Sequence, residues 1–86
     1  MLVQKEEYMG PPLANGLTKR QNQVMVFIVS FHQSNGFAPS IREIGITFKI
    51  APSSVFDHLK VLERKGFIKR LPSKSRCLEI LRRDVA

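Results

Sequence analysis

Ser53, Ser54, Phe56, Asp57 and Lys60 fall within one short segment, interleaved with Val55 and Leu59. Each brings a group that can meet a nucleic acid. Serine hydroxyls hydrogen-bond base edges or phosphate oxygens, a carboxylate accepts from cytosine N4, and an aromatic ring packs on a thymine methyl. An ammonium group neutralises phosphate. Downstream, Lys69, Arg70, Lys74, Ser75 and Arg76 form a second cluster, suited to phosphate or to a narrow minor groove. Upstream, Ser40 and Arg42 stand where the first amides of a helix can hold a phosphate. Each residue also has a plainer reading. A serine near a helix start can simply cap it. Phe56 can half-bury against the preceding helix, Asp57 can pair with a neighbour, and the stems of Lys69 and Arg70 can cover apolar strand surface.

Catalytic chemistry finds no footing. His32 and His58 lie far apart, with no carboxylate or cysteine at ligand spacing, and the single cysteine, Cys77, allows no internal disulfide. His58 reads as a structural residue and Cys77 as a small hydrophobe. There is no phosphate-cradling glycine loop ending in Lys-Ser/Thr and no nucleophile elbow. No catalytic residue, metal or cofactor is expected.

Those candidates must be positioned by a chain of 86 residues, which is one domain. Hydrophobic residues make up 43%, enough for a packed core. The net charge is +7, and the pI is near 10.2, favouring a polyanionic partner. The bases are concentrated late in the chain: Lys69, Arg70, Lys74, Arg76, Arg82 and Arg83 are opposed in that stretch only by Glu79. The longest apolar run, Val24 to Val29, is far short of the roughly 18–20 residues that span a membrane. The opening Met1-Leu2-Val3-Gln4, followed by Glu6-Glu7, is unlike a secretory signal. A soluble, cytoplasmic protein is expected.

Residues 1–16 read as an arm, broken by Gly10-Pro11-Pro12 and Asn15-Gly16. Thr18 and Gln21 have capping-box spacing, with Leu17 placed to staple the entry. The first helix then runs to Asn35-Gly36, with Val24, Phe27, Ile28 and Phe31 as its core face. Ser40 and Glu43 form a second capping box. It opens a short helix from Ile41 to about Phe48, with Ile41, Ile44 and Phe48 on one side. Lys49-Ile50-Ala51 is a turn. Pro52 suits the first position of a third helix, which runs to Lys65 with Val55, Leu59 and Leu62 as its stripe and Gly66 as its cap. Residues 67–71 and 77–81 alternate as strands around a Pro72-Ser73-Lys74-Ser75 turn, and 82–86 is a basic tail. The expected fold is mainly α with a small β-hairpin: a winged helix-turn-helix over 17–81, of three helices and a two-stranded wing.

Leu17-Thr18-Lys19-Arg20-Gln21, Pro39-Ser40-Ile41-Arg42-Glu43-Ile44-Gly45 and His58-Leu59-Lys60-Val61-Leu62-Glu63-Arg64-Lys65-Gly66 carry a family resemblance. So does the wing, from Phe67-Ile68-Lys69-Arg70 through Ser73-Lys74-Ser75-Arg76 to Leu78-Glu79-Ile80. Over about 17–81 the chain resembles the N-terminal DNA-binding domain of LexA-type repressors. The resemblance implies a sequence-specific regulator of transcription, a repressor on double-stranded DNA. Its third helix would enter the major groove and its wing would lie on the phosphate backbone. The alternatives are a winged-helix protein-interaction module and a non-specific nucleic-acid binder.

The chain departs from that family in three ways. No self-cleaving, dimerising module is expected within this length. Lys49 occupies a turn where the family usually has glycine, and the turn is one residue shorter. Val26, Val29 and Ile46 stand where the family tends to be polar. On a helical wheel Met25, Val26 and Val29 lie outside the expected core arc, forming an apolar flank that something should cover. The arm could fold back over it through Tyr8, Met9 or Leu13. A second copy of the chain could cover it, giving a homodimer through the first helix and the arm. Or it is a modest patch with no role.

Overall fold

The computed structural model describes residues 15–71 and 78–85. Three helices and two strands follow in order: α1 (Lys19–Asn35), α2 (Ile41–Phe48), α3 (Pro52–Arg64), β1 (Ile68–Arg70) and β2 (Leu78–Ile80). This is a three-helix winged helix-turn-helix. The strands pair antiparallel, with Ile68 opposite Ile80, Lys69 opposite Glu79 and Arg70 opposite Leu78.

Local signals set the helix starts. Thr18 Oγ1 accepts the Gln21 N–H at 3.2 Å while the Gln21 side chain accepts the Thr18 N–H at 3.0 Å. Ser40 and Glu43 repeat the exchange at 3.1 and 2.8 Å. Both capping boxes satisfy amides that a helix leaves unpaired. Ala51 caps α3 with no side-chain bond, and Pro52 follows it at the first position.

The helix ends place the following elements. Beyond α3, the Gly66 N–H donates to Glu63 O at 3.0 Å and the Phe67 N–H to Leu62 O at 2.9 Å, a Schellman closure with Gly66 at φ 82°. Buried Phe67 and Leu62 fix the direction in which β1 leaves. The same pair of bonds closes α2: Lys49 N–H to Ile46 O at 3.3 Å and Ile50 N–H to Gly45 O at 3.0 Å. There the left-handed residue is Lys49, at φ 57°. The turn into α3 therefore keeps its geometry without glycine.

The core gathers Leu17, Val24, Met25, Ile28 and Val29 from the first part of the chain. Ala38, Ile44, Val55, Leu59, Leu62, Phe67, Ile68 and Leu78 complete it. This corrects the reading of α1. Met25 and Val29 are buried, and Val26 is half-buried. They form no exposed flank, and Met25 and Val29 offer no surface to a second copy. The buried arc is turned by about one residue step, roughly 100°, from the one expected. Phe27 and Phe31 move to its edge. Their rings meet at 5.8 Å between centroids, Phe27 meets Phe48 at 5.8 Å, and Phe31 meets Phe37 at 5.9 Å. These rings gather at the margin between α1 and α2.

Among the described residues each strand covers three, Ile68–Arg70 and Leu78–Ile80, so both stop short of the expected ends at 71 and 81. Residues 82–85 lie against the domain. The Leu81 and Arg82 N–H groups donate to Phe67 O at 2.8 and 3.2 Å, and the Arg82 guanidinium lies 4.1 Å from the Phe67 ring centroid. Arg82 also pairs with Asp84. Asn15 Nδ2 donates to Asp84 O at 2.9 Å and to Asn22 Oδ1 at 3.0 Å. Lys65 Nζ reaches Gly16 O at 2.6 Å.

Candidate nucleic-acid interface

The apolar stripe of α3 is spent inward: Val55, Leu59 and Leu62 are fully buried. With 3.6 residues per turn, the opposite side must face outward. Ser53, Phe56, Asp57 and Lys60 are exposed there, and Ser54 is half-buried. The helix proposed to read bases thus presents its hydroxyls, ring, carboxylate and ammonium together.

Among the described residues of the wing, Arg70 comes to this surface. The Arg70 guanidinium lies 5.3 Å from the Phe56 ring centroid, within cation–π range. The Arg70 N–H meets Glu63 Oε2 at 3.4 Å. Lys69 is exposed across from Glu79. Lys74, Ser75 and Arg76 lie outside the described residues, as do Cys77 and the arm over 1–14.

On α2, Ser40 performs its capping role and Arg42 is exposed. Arg42 borders an open groove of about 620 Å³ lined by Ile41, Gly45, Ile46, Lys49, Ile50 and Pro52. Ile46, 66% exposed, stands on that surface. Gly45 keeps the turn close: a Cβ there would meet Ile50 O at 3.0 Å and Val55 Cγ2 at 3.6 Å. Arg20, at the start of α1, lies over Phe48 with 5.5 Å to the ring centroid. Sequence reasoning missed these two arginine–ring contacts, as it did that of Arg82 with Phe67. The apolar character of Phe48 and Phe56 was visible, but which cation crosses the chain to meet each ring is decided only by tertiary packing.

His58, half-buried beside the α3 stripe, has its pKa lowered. Burial is the main cause; the charge of Arg20 adds to it and that of Asp57 opposes it. Among the described residues no group of three or more His, Cys, Asp or Glu side chains could hold a metal, and no helix is long and apolar enough to cross a membrane.

The family model for the LexA DNA binding domain matches residues 14–77. The chain belongs to the LexA DNA-binding domain family. It is 45% identical to the LexA repressor of Thermosipho africanus over 67 residues, 78% of this chain and 34% of that protein. For the LexA repressor of Nocardioides sp. the identity is 46% over 77 residues, covering 88% and 31%. For that of Thermotoga maritima it is 47% over 64 residues, covering 74% and 32%. The LexA-family chain therefore spans about a third of the length of these curated relatives. Among solved structures, a mutant MepR from a multidrug-resistant S. aureus clinical isolate superposes with a TM-score of 0.63 at 20% identity, covering 88% of this chain and 54% of that one. That likeness is one of fold.

Proposed function

We propose that this LexA-family chain is a sequence-specific reader of double-stranded DNA that regulates transcription, as a repressor. The observation that carries the reading is the outward face of α3. Ser53, Phe56, Asp57 and Lys60 stand exposed on a helix whose opposite stripe is locked in the core. An α-helix so backed fits the major groove while the preceding helix crosses the phosphates. Ser40 and Arg42 on α2 anchor phosphate, Ser53, Ser54 and Asp57 meet base edges, and Lys60 takes phosphate. The wing, with Lys69, Lys74, Ser75 and Arg76, lies on the backbone. The chain acts without catalysis or cofactor, in the cytoplasm. The protein-interaction alternative relied on an exposed α1 flank, and burial of Met25 and Val29 leaves that reading without its surface.

Selection from a random duplex library at about 0.15 M salt, where long-range attraction is largely screened, tests the proposal. One enriched sequence is expected. A palindrome with half-sites roughly 10 bp apart, or a multiple of that, would identify a dimer. Ser54→Ala should change base preference by about 1–3 kcal/mol at one position. Lys74→Ala and Arg76→Ala should each weaken all sequences alike and reduce the salt slope by about one. Equal loss on selected and random DNA for Ser54→Ala would remove α3 from the readout.

A further inference from the structure

Phe56, Lys60 and Glu63 lie on one face of α3 at helical spacing. Arg70 runs alongside that face. Its backbone N–H donates to Glu63 Oε2 at 3.4 Å, while its guanidinium lies over the Phe56 ring, 5.3 Å from the centroid, about 10 Å further toward the start of α3. A residue of the wing is thereby laid along the recognition helix, with its charged head delivered to the exposed surface.

Phe56 is 39% exposed and Arg70 is half-buried, so the pair is accessible. A guanidinium that rests its flat face on a ring keeps its N–H edge available in its own plane. A guanidinium edge matches the O6 and N7 acceptors of guanine, the commonest specific contact in the major groove. A lysine cannot reproduce that fork.

We infer that Phe56 and Arg70 act as one composite reader. Phe56 is the platform, and Arg70 is the specificity-determining group that recognises a guanine beside the bases met by α3. This rests on the DNA-reading role proposed above and assigns a base contact to the wing strand. It also gives Phe56 a different task from direct packing on a thymine methyl.

The test is parallel selection from a random duplex library with the unmodified chain, Arg70→Lys, Phe56→Leu and the double variant. Leucine keeps an apolar contact for a methyl group but removes the platform. The unmodified chain is expected to enrich guanine at one position next to the α3 contacts. Both single variants should lose roughly ten- to hundredfold preference at that position only, and the double variant should lose no more than either. Melting temperatures should stay together, since both side chains reach the surface. Preferences lost at two different positions would overturn the joint reading. A uniform loss on all sequences with a reduced salt slope would place Arg70 on phosphate and overturn it as well. If the unmodified chain enriches a site that all variants retain, this inference fails alone; if it enriches nothing, the DNA-reading role fails with it.

Discussion

At His58 a single ring couples the fold to pH. Burial, helped by Arg20, holds its pKa below the ordinary histidine value, so the folded state favours the neutral ring. The unfolded chain takes up its proton near pH 6.5. Stability is therefore full above that value and falls as pH drops toward the folded pKa, because the unfolded state binds more protons there. Thermal melts between about pH 7.5 and pH 5.5 should show a decline that His58→Gln makes shallower. An unchanged slope in the variant would remove His58 as its source. At this scale the sequence was legible wherever chemistry is local. Thr18–Gln21 and Ser40–Glu43 are three residues apart, so their reciprocal bonds follow from spacing alone. The meeting of Phe56 with Arg70 is not legible in that way, since it depends on how the wing leaves α3.

Among the elements, the α2–α3 turn makes a paired prediction of opposite sign. Lys49 holds a left-handed conformation that costs a side-chain-bearing residue about 1–2 kcal/mol. Lys49→Gly should raise unfolding stability by about 1 kcal/mol after glycine's greater unfolded-state freedom is offset. Gly45→Ala should lower it by about 1–3 kcal/mol, as its methyl would press on the Ile50 carbonyl and Val55. Urea titration of the two variants checks both; matching shifts would contradict the turn geometry. The boundaries of α2 and the start of α3 were readable because capping residues and Pro52 punctuate them. The buried side of α1 was not. From Val24 to Val29 every residue is apolar, so periodicity admits more than one face. The choice falls to the shape of α3 and to the space that four phenylalanines require between α1 and α2.

Over the whole molecule, both ends of the described chain are fastened at one place. Asn15 holds Asp84, Arg82 covers Phe67, and Val85 packs on the core. What reads in sequence as a short basic tail is a brace on the strand pair. A chain ending at Leu81 should melt at a lower temperature, and amide exchange should quicken at Phe67 and Leu81, whose N–H groups donate to Leu62 O and Phe67 O; identical melting would leave the brace without a role. The rings of Phe27, Phe31, Phe37 and Phe48 make a different kind of whole-molecule report. The sequence has no tryptophan and one tyrosine, and among the described residues the aromatic rings are all those of phenylalanine and histidine, weak chromophores. An indole placed at Phe37, exposed at its edge but touching Phe31, would be the brightest emitter in the protein. Its fluorescence would follow the docking of α1 on α2 against an almost dark background.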